Sequence, residues 1–172
     1  GNIISSTPLS LATLSGWEVT STRADSKNQI ERNDRWGRLH YYNDLGDHNF
    51  YYGYNDAGWL QYQQGDSGQD IKYKYQDNGF LSAVVDYGTS RVSRYEYDEY
   101  GNRTLEAITD NTNAEDEPLT AEYWQLSHAQ YDALNRLISV SDNRYTTSYK
   151  YDTNNNRVNV QATYTSLYQK NS

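Results

Sequence analysis

Three histidines, His40, His48 and His128, are the side chains best suited by type to act as bases or metal ligands, and they share no local spacing. His40 stands beside a tyrosine in an alternating stretch, so structural or surface roles are expected for all three. No His-Glu-x-x-His, Gly-x-Ser-x-Gly or phosphate-loop pattern occurs, and without cysteine there is no thiolate chemistry. Carboxylate pairs are the enzymatic option left. Yet Asp98, Asp132 and Asp152 occupy equivalent places in short Tyr-Asp-x-x-Gly/Asn stretches, where capping a turn explains a carboxylate without catalysis. Calcium could be held by the oxygens of "GDSGQD" (65–70) or of the acidic stretch 109–122, but neither has the spacing of an EF-hand loop or a glycine-rich calcium repeat. No catalytic residue, metal or cofactor is expected. Sugar binding is the remaining chemistry: Trp59, Tyr62, Trp124 and the run Phe50-Tyr51-Tyr52 could stack on sugar rings while Asn, Asp and Gln bond the hydroxyls. Aromatic pairing across strands explains the same rings, because they sit at repeat-locked positions.

That lock is a repeat with a period of about 21 residues. "NDRWGRL" (33–39), "YNDAGWL" (54–60), "YQDNGFL" (75–81), "YDEYGNR" (97–103), "YDALNRL" (131–137) and "YDTNNNRV" (151–158) share one frame, at spacings of 21, 21, 22, 34 and 20. An Asx residue opens five of the six turns, with Gln76 in the third, and Gly37, Gly58, Gly79 or Gly101 closes them, replaced by Asn135 and Asn155 in the last two copies. This is the pattern of a type I turn ending in a left-handed residue, a hairpin turn. Counting back 21 from Gly37 gives Gly16, followed by Trp17, so a degenerate seventh unit is expected to open the chain.

Period-two alternation flanks the turns, as in Ile71-Lys72-Tyr73-Lys74-Tyr75, and predicts strands with rings on one face and charges on the other. After the turns, Leu39 and Tyr41, Leu60 and Tyr62, Leu81 and Ala83, and Leu105 and Ala107 are expected to share a parity. Val158 and Val160 fall one residue later, which predicts a longer last turn. The spacing of 34 holds about 13 extra residues, and 109–122, polar and acidic with Pro118, reads as a solvated insertion loop. The domain plan is therefore a degenerate repeat or cap over 1–29, the repeat domain over 30–164 and a tail over 165–172.

Composition sets the outer limits. Nineteen Tyr and four Trp predict an aromatic core in place of the usual Leu, Ile and Val. A net charge of −8 argues against nucleic acid or an anionic membrane as partner, and no apolar run is long enough to insert in a membrane. The absence of cysteine fits an exported bacterial protein stabilised by packing. A chain that opens Gly1-Asn2-Ile3-Ile4 reads as part of something longer.

The frame Y-D-x-x-G-R-L or Y-D-x-x-G-N-R, over about residues 30–164, resembles the YD repeats of RHS proteins, which include bacterial polymorphic toxins, the shell component of insecticidal toxin complexes and teneurins. The resemblance implies an all-β fold of tandem hairpins in a curved, spiralling antiparallel sheet, a wall that in toxins encloses a cytotoxic segment. It lacks the family's Asp-rich, Pro-containing self-cleavage signature, so neither autoproteolysis nor a toxin domain is implied. Seven hairpins at about 4.8 Å per strand make roughly 65 to 70 Å of sheet, long enough to require curvature but too short to seal a large cavity. The expected function is thus a non-enzymatic shell or assembly unit of an extracellular or cell-surface bacterial protein. Its partners are other YD repeats and an enclosed toxin or cargo; an adhesin-like glycan-binding module is the alternative.

Overall fold

A computed structural model describes residues 3–11, 14–115 and 125–164. The fold is all-β, built of tandem antiparallel hairpins, as expected. It divides into two units, one of residues 1–73 with 86–89, the other of residues 74–85 with 90–172. The first contains β1 (Ile3–Leu11), β2 (Leu14–Thr22), β3 (Asn28–Asp34), β4 (Leu39–Asn43), β5 (Asn49–Tyr54), β6 (Leu60–Gly65) and most of β7 (Gln69–Tyr75). These lie in chain order, each antiparallel to the next. The second contains nearly all of β8 (Leu81–Asp86), then β9 (Arg91–Tyr97), β10 (Arg103–Thr109), a 3-10 turn (Thr112–Glu115), β11 (Gln125–Tyr131), β12 (Leu137–Ser141), β13 (Tyr145–Tyr151) and β14 (Arg157–Tyr164). Here too chain neighbours pair antiparallel from β9 onward.

The repeat frame marks where the chain reverses. In each copy the residue after the frame's first position donates its N–H to the carbonyl four residues on and accepts from the N–H three residues on, as Asp98 does with Asn102 and Gly101. The third residue on has positive φ: +83° at Gly37, +84° at Gly58, +89° at Gly79, +85° at Gly101, +57° at Asn135 and +70° at Asn155. The connections at the opposite strand ends borrow this geometry twice, at Arg23–Lys27 and Asp44–His48, with Ser26 and Asp47 in the left-handed position.

One irregularity recurs and corrects the expected parity. The ladder slips by one residue just after the turn in five hairpins: Asn33 faces Leu39 but Arg32 faces Tyr41, and Tyr54 faces Leu60 but Gly53 faces Tyr62. The same slip leaves Thr104, Ile138 and Val158 as extra residues in the later hairpins. Each is a β-bulge. Leu39 and Tyr41, and likewise Leu60 and Tyr62, therefore lie on opposite faces rather than one. The last turn is no longer than the others, since Asp152 bonds Asn156 as Asp132 bonds Arg136; Val158 is simply the bulge residue, and Val160 faces Tyr149.

The first hairpin is degenerate in another way than its spacing suggests. Gly16 is a strand residue of β2 opposite Asp34, not a turn, and a Cβ there would lie 1.9 Å from the Asn33 carbonyl oxygen. Close backbone approach, not positive φ, is what demands glycine at this position. Trp17 keeps its place in the frame, with its ring 3.7 Å from where a Gly37 Cβ would be.

The deepest core is aliphatic, against the aromatic expectation. Among the described residues Ala83, Val85, Val92, Leu105, Ala107 and Ile108 are the buried hydrophobic side chains, all in the second unit, while the tyrosines and tryptophans are half-buried or exposed. Val92 faces Thr109, and Ala107 faces Leu126, so small and branched side chains line one face of β9, β10 and β11. The 3-10 turn that begins the insertion packs against β9. Rings carry a hydroxyl or indole N–H that needs a partner, so they settle at half-buried rims, where the backbone and water supply one.

Candidate functional site

The chemistry of this chain is concentrated at the joints between successive hairpins. In five of the six copies the joint begins with an Asx side chain that closes its own turn, while the third has Gln76 in that place. Asp98 accepts from the Tyr100 and Asn102 N–H groups at 3.0 and 2.9 Å, Asp132 from Leu134 and Arg136 at 2.9 and 3.0 Å, and Asp152 from Asn154 and Asn156 at 2.9 and 2.8 Å. All three carboxyls are held below the usual aspartate value, first by a side-chain donor, the Asn102 amide, the Arg136 guanidinium and the Asn156 amide respectively. A base or nucleophile with its lone pairs spent on its own loop has little left for a substrate.

Asp34 is the exception in burial. Its side chain is 1% exposed and collects the Trp36 and Arg38 N–H groups at 2.9 Å, the Arg38 guanidinium at 2.7 Å and His40 Nε2 at 3.2 Å. Burial is the largest single influence and raises its pKa, but the hydrogen bonds together prevail and bring it to about 2 from 3.8. Asp132 has an arginine four residues on as Asp34 does; what distinguishes Asp34 is His40, one residue past the frame.

The second half of each joint is a tyrosine reaching backwards. The hydroxyl of Tyr54 donates to the Leu39 carbonyl at 2.9 Å, Tyr97 to Leu81 at 3.0 Å, Tyr131 to Arg103 at 3.1 Å and Tyr151 to Leu137 at 2.8 Å. In every case the donor is the tyrosine just before one turn, and the acceptor is the first strand residue after the preceding turn. The residue before that acceptor supports the ring: the Arg38 guanidinium lies 4.8 Å from the Tyr54 ring centre, Phe80 lies 4.9 Å from Tyr97, and Arg136 lies 4.6 Å from Tyr151. Arg136 also donates to the Asn155 amide oxygen at 2.8 Å, and Asn102 to Asn135 at 3.0 Å, tying one turn to the next. The first copy carries Asn33 in the tyrosine position, and the hairpin before it has no YD turn.

The glycan candidates do not gather into one site. Tyr51 faces Tyr41 and Gln64, and Tyr62 faces Gly53, which puts Tyr51 and Tyr62 on one face of β5–β6 and Tyr52 on the other. One side of the Tyr62 ring covers Gly53, whose Cβ would fall 1.9 Å from a ring carbon. Trp59 is half-buried beside its turn, its N–H bonded to Asn55, and Trp124 lies outside the described residues. Tyr62, Gln64, Asp70, Lys72 and Tyr87 line an open hollow in the first unit.

His48 and the carboxylates of the 65–70 stretch have partners within their own unit. His48 pairs with Asp44 at 3.0 Å, and His128 is a strand residue opposite Leu105. Asp66 accepts from the Asn49 N–H and amide, and Asp70 from Gln64. Among the described residues no three His, Asp or Glu side chains converge to hold a metal ion, and no helix is long and apolar enough to cross a membrane. Of the insertion, residues 116–122 lie outside the described residues.

Tandem Y-D-x-x-Gly/Asn hairpins, with tyrosine clasps from Tyr54, Tyr97, Tyr131 and Tyr151 to the hairpin before, define the class of fold. No protein-family model matches the chain, and no curated protein matches it in sequence. Solved structures do match in fold. A crystal structure of TcdB2-TccC3 without its hypervariable C-terminal region is similar over 88% of this chain, at 15% identity and a TM-score of 0.63. Another, TcdB2-TccC3-TEV, covers 94% at 19% identity and a TM-score of 0.64. A Photorhabdus luminescens Tc holotoxin pore covers 92% at 12% identity and a TM-score of 0.55. This chain spans only 9 to 11% of the length of those chains. The resemblance to YD-repeat proteins is thereby met at the level of fold.

Proposed function

We propose that this chain is a structural wall segment of an exported or cell-surface bacterial protein, whose hairpins continue those of neighbouring YD repeats around an enclosed toxin or cargo. The observation that carries this reading is the repeated joint. Four tyrosine hydroxyls, four backbone carbonyls and the ring supports between them are all spent in holding one hairpin to the next. The turn aspartates are capped, the histidines are paired or set in a strand, and the fold match to toxin-complex chains agrees with a wall. The turn residues Gly37, Gly58, Gly79, Asp98, Gly101, Asp132, Asn135, Asp152 and Asn155 act in this reading as hinges of the wall and take no part in chemistry.

A glycan-binding module is the second reading, favoured by the open hollow around Tyr62 and Tyr87 with Gln64, Asp70 and Lys72 at hydrogen-bonding positions. A glycan-array screen of the purified chain separates the two. The wall reading expects no retained glycan; micromolar binding that is lost in Tyr62→Ala, with folding intact, would replace it by the adhesin.

A further inference from the structure

We infer that Tyr41 and Tyr51 are a site of oxidative cross-linking, at which one-electron oxidation joins the two rings as dityrosine and ties β4 to β5. The chain has nineteen tyrosines and neither cysteine nor methionine, so the sulfur side chains that ordinarily take up an oxidant are missing and the aromatic rings receive it. The ladder sets these two rings directly opposite each other, with centroids 5.4 Å apart and planes inclined by 52°. Opposite residues on antiparallel strands have Cβ atoms about 5 Å apart, so the ring edges meet by a small turn of either side chain, with no shift of backbone.

The surroundings order the steps. Tyr51 is 45% exposed and meets the oxidant first. Tyr41 is half-buried under the Arg32 guanidinium, which lies 4.5 Å from the ring centre and has its charge paired with Glu18 at 2.7 Å. The Tyr41 hydroxyl donates to Asn49 Oδ1 at 2.6 Å, and Asn49 faces Asn43 at the other end of the short β4–β5 ladder, so the Tyr41 ring is held beside its partner. The next pair along, Tyr42 facing Phe50 with rings 5.9 Å apart, cannot react in this way because phenylalanine has no hydroxyl from which to form a phenoxyl radical.

Tyr51 loses an electron and its hydroxyl proton to become a phenoxyl radical. That radical draws an electron from Tyr41 across the gap between the rings, the Tyr41 proton leaves, and Tyr51 is oxidised again. The two radicals couple through one Cε of each ring, and the hydrogens those carbons carried pass to the phenolic oxygens. In sum one C–C bond forms, two C–H bonds break, and two electrons and two protons reduce one hydrogen peroxide, delivered by a haem peroxidase, to two waters. The product closes a loop that the unfolded chain otherwise leaves open, as a disulfide does in chains that have cysteine. It depends on the register of β4 with β5 alone, so its failure leaves the wall proposal untouched, and the loss of that proposal to glycan binding leaves this one.

The test treats the dilute 172-residue chain with a haem peroxidase and limiting hydrogen peroxide. It reads intact mass, dityrosine fluorescence and the linked peptides of a digest cut at Asp44 and Asp47, which lie between the two tyrosines. The expected product is a monomer lighter by two hydrogen atoms, with Tyr41 and Tyr51 in the linked peptides. Tyr51→Phe, with its circular dichroism unchanged, should lose that link, and oxidation in urea should lower its yield several-fold because the ladder no longer holds the rings together. Tyr145 also faces Tyr164 with rings 5.5 Å apart, so the digest decides and not the fluorescence alone. Absence of the Tyr41–Tyr51 link whatever other tyrosines are joined, an equal yield in urea, or a link between these residues only in dimers overturns the inference.

Discussion

Asp34 sits in the same turn position as Asp98, Asp132 and Asp152, but its carboxylate is enclosed by Arg38, His40 and two backbone N–H groups. Replacing it by Ala leaves buried donors without an acceptor, and a loss of about 3 kcal/mol is expected. Because its folded pKa of about 2 lies below the ordinary 3.8, the group favours folding fully above pH 3.8 and ceases to as pH falls through 2. The stability difference between wild type and Asp34→Asn should therefore be level above about pH 5 and shrink below about pH 4 in acid melts. A difference that grows on acidification contradicts the assignment. Gly101 tests the turn from the other side. It has φ +85°, and a Cβ would meet the Phe80 ring at 2.9 Å. Gly101→Val should cost about 2 to 3 kcal/mol, the sum of backbone strain and displaced ring, whereas Asn155→Gly should change stability by only a few tenths. Urea titration followed by tyrosine fluorescence reads both.

Between hairpins the unit of cohesion is the tyrosine clasp. Tyr97→Phe removes only the hydroxyl that bonds the Leu81 carbonyl and keeps the ring against Phe80, so a loss of about 1 kcal/mol is expected, read as faster amide exchange in β8 and β9. Burial raises the pKa of Tyr54 and of Tyr97, which means the folded chain favours the neutral hydroxyl. The clasp is thus fully present below pH 10 and fails as pH rises beyond it; alkaline melts should show wild type losing more than a variant with both tyrosines changed to Phe. This clasp marks the boundary of what the sequence reveals. A 21-residue period with Asx and Gly at fixed offsets is legible as hairpins because turn chemistry is local: a side chain reaches its own backbone two to four residues away. The bulges after the turns are not legible in the same way. His40, Gln61, Thr104, Ile138 and Val158 share no one side-chain type, and the slip follows from how the left-handed turn rejoins the ladder. The clasp itself spans 14 to 28 residues in sequence, so only the recurrence of tyrosine hinted at it. The aromatic core expected from composition differs from the aliphatic one for a related reason: composition counts rings, but the hydroxyl of a tyrosine or the indole N–H of a tryptophan keeps it near a rim.

At the scale of the molecule, a tandem array whose hairpins pack on their chain neighbours within each unit has no single unfolding free energy. Its stability is a sum of hairpin and joint contributions, and local opening is expected along it. The two units differ in what they bury: the aliphatic side chains Ala83, Val85, Val92, Leu105, Ala107 and Ile108 all belong to the second, while the first buries Asp34 and Asn43. Apolar burial stabilises by about 25 cal/mol per Å², so β8, β9 and β10 should be the most protected strands in hydrogen exchange. β14, exposed along its whole length and paired on one side, should exchange fastest among the strands. The gradient is a sharper test of the architecture than any melting temperature, because a cooperative globular domain would give nearly uniform protection across its strands. Equal protection of β14 and β9 would contradict the gradient, because β14 buries none of its side chains while β9 buries Val92.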